Sequence, residues 1–338
     1  MQSKSKNAAS ASVSALTNAA ILLTLTLVTM LYAMTVTIAN VSLPQIKGAL
    51  SATTDEIALI ITFNIIATAV ATPMTGWLST RFGRRNTLVW AVIGFTVSSF
   101  LCGTATSLEQ LVFYRFLQGA CGAPLPPLCQ AIVVDAYPKE KIGQANAIFG
   151  MGVVLGPILA PTLGGYLSET YSWRWVFYMM VPCGLASLIG VLIFIRSHVA
   201  DKRADLDWTG FISLAVAIAA FQFMLDRGER LDWLDNWQIV ACAIAAVTGL
   251  YVFITHSLTS DRPFLNPRLL LKRNYALGLL IAFIFGLLNF TPITLIPALL
   301  QTLRGYPDSI VGLILGIRGT GTLLSLIHIS EPTRQKPI

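Results

Sequence analysis

Charge is what this chain has least of. Asp, Glu, Lys and Arg make up only 12% of its 338 residues, against about 25% in a soluble domain. Acids are scarcest where they would matter most: no Asp or Glu falls within the middle of the first six long apolar stretches. Strand-like alternation is missing too, which excludes a membrane β-barrel built of short alternating segments. The five cysteines (Cys102, Cys121, Cys129, Cys183, Cys242) show no CxxC spacing and no pairing with histidine; they read as small buried hydrophobes rather than metal ligands or a disulfide frame. His198 and His256 stand at the ends of apolar stretches, as solvated interfacial groups. No nucleophile–base pattern appears. "GTGTLL" from 319 is a glycine cluster without the strand that a phosphate loop requires. The chain therefore reads as neither an enzyme nor a cofactor protein.

What fills it instead is hydrophobic residue, 55% of the chain. Runs near 20 residues long recur, each enough to cross about 30 Å of hydrocarbon. They predict ten helical spans, near 20–43, 57–78, 87–106, 110–133, 146–167, 175–195, 209–225, 237–257, 275–300 and 309–326. This is an all-α, polytopic membrane protein. Taking the N-terminus and every second connection as one side, that side carries 14 Lys and Arg and the other five. The positive-inside rule puts the N-terminus in the cytoplasm. That bias accounts for the net charge of +7, and nucleic acid is not needed as a partner. Residues 7–19 are rich in Ser and Ala, but the span after them is too long for a signal-peptide core, which predicts an uncleaved first helix.

Three stretches break the apolar monotony. "GMGVVLGPILAPTLGG" (150–165) places Gly152, Gly156, Ala160 and Gly164 four apart, one small-residue stripe along which another backbone can approach closely in lipid. Pro157 and Pro161, also four apart, free the carbonyls of Val153 and Pro157 and predict a bend. "GWLSTRFGRRNTL" (76–88) turns tightly between spans two and three, with Gly76 and Gly83 to allow the turn and Arg81, Arg84 and Arg85 on the cytoplasmic side. "LVFYRFLQGACGAPLPP" (111–127) puts Arg115 well inside span four with Gln118 on the same face. A guanidinium within the bilayer is expensive and points to a cavity or proton path.

Taken in order, these stretches resemble the major facilitator superfamily, and within it the 14-helix drug–proton antiporters of the EmrB/QacA type. The loop at 76–88 is similar to the cytoplasmic GxLaDrxGrrxxl signature, and 111–124 to the RxxqG signature of helix four. The 150–165 stretch, with Gly152, Gly156, Pro157, Pro161, Gly164 and Gly165, is similar to the antiporter signature GxxxGPxxGPxxGG. "TIANVSLPQI", "WRWVFYMMVP", "MLDRGERLDW" and "RNYALGLLIAFIFG" also fit in order, so the likeness covers about residues 20–323. Three positions depart from it. Thr80 stands where the loop usually carries Asp, leaving Arg81 or Arg84 to pair with Asp135 instead. Thr35 stands where these antiporters often carry an acid in helix one. Ala160 replaces a signature glycine while keeping the stripe small.

The resemblance implies an incomplete facilitator-type bundle of about 10 of 14 helices. Residues 1–19 would form a cytoplasmic segment, 20–196 the first six-helix bundle, 197–260 a linker and extra central pair, and 261–323 the start of the second bundle. "LSLIHISEPTR" (324–334) stops fitting the last helix and resembles a translated sequencing adapter, so 324–338 is expected to be non-native. The implied function is export of amphipathic small molecules by proton-coupled alternating access. Arg115 and Gln118 would serve transport and proton coupling, and the 76–85 arginines with Asp135 would form a cytoplasmic gate. Substrate, protons and the lipid bilayer are the implied partners; the likeness adds a membrane-fusion protein and an outer-membrane channel, and an inner-membrane location. A metabolite uniporter or importer of the same fold, and a membrane protein that transports nothing, are the competing readings.

Overall fold

The computed structural model describes residues 2–196 and 205–330, excepting the side chains of the first 15 residues, of Val36 and of those beyond 321. Among the described residues there are thirteen α-helices and no strand. Nine helical stretches among the described residues are long and apolar enough to span a bilayer. The tenth, expected at 309–326, falls on the last helix, Asp308–Ser330.

The crossings begin with α1 (Gln2–Ala49), which contains both the expected cytoplasmic segment and span one, and α2 (Thr54–Ala71). Thr53 caps α2: its hydroxyl accepts the Glu56 amide (3.2 Å), while the Glu56 carboxylate accepts the Thr53 amide (2.8 Å). Two donors at the helix start are satisfied reciprocally. Span two was expected to run on to residue 78. It stops at Ala71, because Pro73 has no amide to continue the ladder, and a short α3 (Met74–Phe82) follows. After α4 (Arg84–Thr104), the same happens in span four, which divides at Pro124 into α5 (Leu108–Gly122) and α6 (Leu125–Ala136). The 29-residue α7 (Ile142–Thr170) instead runs unbroken through Pro157 and Pro161. The remaining elements are α8 (Arg174–Tyr178), α9 (Met180–Phe194), α10 (Trp208–Arg227), α11 (Trp237–Thr259), α12 (Arg273–Ala298) with a π-helical turn at Leu299–Leu303, and α13.

The core lies between α1, α4, α6, α7 and α9, where Leu25, Val28, Leu31, Val92, Phe95, Leu125 and Val133 are closed from solvent. A second cluster, including Ile46, Ile60, Leu111, Trp173 and Phe177, closes one end of the bundle. The α10–α11 pair packs on α2 through α10. Thr62 of α2 donates to the Asp226 carboxylate, and Arg230 meets Asp55 at 2.9 Å. At the other end of the pair Asp207 caps α10 by accepting the Gly210 amide, and also accepts from the Phe264 amide and the His256 ring. His256 is therefore a half-buried fixed partner; His198 lies outside the described residues. All five cysteines are free. Cys102 and Cys129 are buried, whereas Cys121, Cys183 and Cys242 are only half-buried.

Candidate functional site

Arg115 sits in the third turn of α5 and is 1% exposed, the largest fully buried side chain among the described residues. Its Nη1 donates to Gln118 Oε1 (2.7 Å), and Gln118 Nε2 donates to Ser99 Oγ of α4 (2.7 Å). Ser99 in turn donates to the Phe95 carbonyl at 2.7 Å. The i, i+3 spacing that put Arg115 and Gln118 on one face thus makes a relay from α5 into α4. The guanidinium lies 5.7 Å from the centre of the Phe177 ring. Arg115 Nε is buried with no partner. The ion pairs among the described residues are Arg84–Asp135, Arg230–Asp55 and His256–Asp207, so Arg115 has no carboxylate. It is a fixed positive charge in a low-dielectric bundle, held by a neutral amide and a ring.

The backbone of α5 is held as firmly as its side chain. Asn64 Nδ2 of α2 donates to the Arg115 carbonyl (2.8 Å), and Thr68 donates to the Gly119 carbonyl (3.2 Å). A side chain at Gly119 would run into the Asn64 backbone, so α2 and α5 can touch only because that residue has none. Thr35, where an acid was expected by resemblance, is buried in α1 and donates to its own helix at the Leu31 carbonyl (3.3 Å).

The small-residue stripe of α7 faces α1. A β-carbon at Gly152 would strike the Thr26 methyl, one at Gly156 would lie 2.7 Å from the Met30 carbonyl oxygen, and one at Gly164 would press on Ile38. Ala160 is fully buried on the same side. Gly165, one residue off the stripe, faces α13 instead, against the backbone of Asp308 and Ser309. Farther along that second face, Gly312 meets Pro161, and Thr162 donates to the Gly312 carbonyl at 3.1 Å. Thus α7 lies between α1 and α13 and gives each a face of small residues.

At the loop the structure separates residues the sequence had grouped. Gly83 has φ +83° and joins α3 to α4, a conformation glycine adopts without strain. Gly76 lies inside α3 with open space beside it, so the turn needs Gly83 and not Gly76. Arg84 pairs with Asp135 of α6, and both are partly exposed. Arg85 donates to the Leu192 carbonyl of α9 (3.0 Å), and Arg81 joins neither contact. Thr80 donates within its own helix to the Gly76 carbonyl (3.0 Å).

Two charged positions were overlooked in the sequence. Arg318, ten residues into α13, donates to the Asn289 carbonyl of α12 (3.2 Å); a cation that deep in an apolar run is a readable signal. Asp308, the first residue of α13, is nearly buried among Gln45, Glu169 and Gln301.

The sequence profile of the Major Facilitator Superfamily matches residues 25–331. The chain is 36% identical over 290 residues to the Multidrug export protein EmrB of Escherichia coli (strain K12), covering 86% of this chain and 57% of that protein. It is 36% identical over 278 residues to the Fatty acid resistance protein FarB of Neisseria gonorrhoeae, covering 82% and 55%. In fold it is similar to the partially occluded inward open conformation of the xylose transporter XylE from E. coli, with a TM-score of 0.59 at 14% identity, covering 94% of this chain and 74% of that one. The chain spans just over half the length of the curated relatives it matches. Helix α13 continues through residues 324–330, and the family match runs past them as well.

Proposed function

Because the chain belongs to the Major Facilitator Superfamily and is a multi-pass membrane protein, we propose that in its full-length form it exports amphipathic small molecules in exchange for protons. The observation that carries this is the position of α7. It presents small residues to α1 and takes the small residues of α13 against its other face, Ile158 lying over Gly319, and on this reading it is the helix at which the two halves move against each other. Facilitator-type transporters hold substrate near the midplane between two such halves. Arg115 keeps its proton at any physiological pH, so its part in coupling is electrostatic. Its uncompensated charge, fixed by Gln118, sets the potential against which protons and substrate move. Arg84 with Asp135 forms the cytoplasmic latch in the inner membrane, the N-terminus lying inside. The export named in the relative EmrB supports the direction of transport. A membrane-fusion protein and an outer-membrane channel complete the proposed route outward.

The test is ethidium export by the full-length protein in proteoliposomes, with and without an inward proton gradient. Export that depends on the gradient supports the reading. Dye uptake down its own gradient, unaffected by protons, points to a uniporter and overturns it.

A further inference from the structure

Helix α13 begins with a carboxylate in an uncommon position. Asp308 is 9% exposed, at the point where α1, α7, the π-helical turn after α12 and α13 meet. Its Oδ1 accepts from Gln301 Nε2 (2.9 Å), which also donates to the Val41 carbonyl of α1 (2.9 Å). Its Oδ2 is buried and accepts no hydrogen bond of ordinary length and angle, with the Gln45 side chain beside the carboxyl. From α7, the Glu169 carboxylate accepts the amide of Ser309 (3.1 Å), and Ser168 donates to Gln45 of α1 (2.8 Å). Lys47 on α1 is engaged with Thr54 (2.7 Å), and Arg304 is exposed on the connection. No cation answers Asp308 among these facing groups, and the nearest titratable neighbour, Glu169, carries the same sign. A helix N-terminus ordinarily suits an anion; this one is shut in by the backbone of Gly165, which approaches because that residue has no side chain.

We propose that Asp308 is a proton-binding latch: a proton from the outer compartment, bound at its Oδ2, holds the two bundles together at that end. The proposal rests on the transport reading above and on its orientation, in which this junction lies at the outer face. Burial raises the Asp308 pKa, Gln301 lowers it, Glu169 raises it and Gln45 lowers it, and the balance moves it from 3.8 up to about 6. When the halves part at this end, water reaches the carboxyl and its affinity for the proton returns toward the ordinary value. The closed state therefore binds the proton more tightly, and acid outside favours closure. Between pH about 4 and 6 the open state ionises while the closed state does not, so each pH unit shifts the balance by up to about tenfold. Above about 6 both states are ionised and the bias toward opening levels off. Because the proton enters and leaves on one side, the latch adds pH control to the exchange cycle without carrying net charge across.

The experiment uses the full-length protein with its native cysteines replaced and Ser168→Cys added beneath the latch. Labelling by a membrane-impermeant maleimide from the outer side is followed as outer pH goes from 7 to 5, and rates are corrected for the thiolate fraction with an exposed reference cysteine. We expect labelling to fall about tenfold. Asp308→Asn should stay at the low level throughout, and Glu169→Gln, by removing the like charge, should move the midpoint to lower pH. A Ser168→Cys protein that labels equally at pH 5 and 7, or an Asp308→Asn variant that keeps the full pH response, overturns the latch. Gradient-driven ethidium export is measured on the same samples: export with a flat labelling profile refutes the latch alone, and absent export in folded protein refutes the transport reading.

Discussion

Gly156 offers the sharpest test of how α7 meets α1. A β-carbon there would lie 2.7 Å from the Met30 carbonyl oxygen and 3.3 Å from the Ala33 β-carbon. That is about 0.7 Å short of ordinary contact with a main-chain atom, and a main-chain atom cannot swing aside as a side chain can. Overpacking of this kind costs about 1–3 kcal/mol, while replacing a helical glycine by alanine returns about 1 kcal/mol of intrinsic preference. The net for Gly156→Ala is a loss of up to about 2 kcal/mol, and Gly156→Leu, whose further atoms must also be placed against α1, loses more. Gly150, two turns earlier in the same helix, has open space around it, so Gly150→Ala gains the helical preference and meets nothing. Thermal unfolding of the full-length protein in detergent should therefore move the two alanine variants in opposite directions. Export of dye should drop in Gly156→Leu by more than its yield in the membrane does. Equal unfolding temperatures for Gly156→Ala and Gly150→Ala, or a normal export rate in Gly156→Leu, would refute the close-packing argument.

Arg115→Ala should abolish gradient-driven export, and Arg115→Lys should restore only part of it, since a point charge replaces a planar fork that reaches Gln118 and Phe177 together; proton-dependent efflux intact in the alanine variant sinks the assignment. Asp135→Asn should change unfolding temperature little, because an ion pair exposed by 38% and 46% at its two side chains contributes about 1 kcal/mol or less. The same variant should raise labelling of cytoplasmic-side cysteines, and unchanged labelling argues against a gate. Asp207→Ala should lower the unfolding temperature through loss of a cap, about 1 kcal/mol, and of the Phe264 partner. Burial by itself would raise the Asp207 pKa, but the amides of Gly210 and Phe264 and the His256 ring hold it below the ordinary 3.8. Its stabilisation is then complete above about pH 4 and fades as pH falls further, so the wild type should lose more stability there than the variant; parallel acid profiles would contradict this.

The spans were legible because length and apolarity are properties of a contiguous run, and no tertiary partner is needed to see them. What interrupts the spans was harder to read. Proline is tolerated in a membrane helix where neighbours satisfy the freed groups, so Pro73, Pro124, Pro157 and Pro161 look alike in sequence. The helix divides at the first two and continues through the others. The Arg115–Gln118 pair was legible for the opposite reason, being three apart on one helix. Ser99, Asn64 and Phe177, which complete its setting, come from other helices and carry no mark of it. Asp308 was the least visible. It stands outside the apolar run of its own helix, and its burial is made by Gln45 and Gly165, both more than a hundred residues away in the chain.

The glycines of α7 show how far spacing alone can reach. A repeat of four predicts which residues share a face, and Gly152, Gly156, Ala160 and Gly164 do share one, against α1. It cannot predict what lies opposite a residue that falls outside the repeat. Gly165 follows Gly164 by one step, which on a helix is a turn of about 100°, and that step carries it from α1 to Asp308 and α13. The doubled glycine at the end of the stretch is thus the place where contact with α1 passes to contact with α13. It is also where a carboxylate becomes buried without a counter-charge. A side chain at either position would restore distance between helices, at Gly164 between α7 and α1 and at Gly165 between α7 and α13. Only the second should loosen the pH response assigned to Asp308.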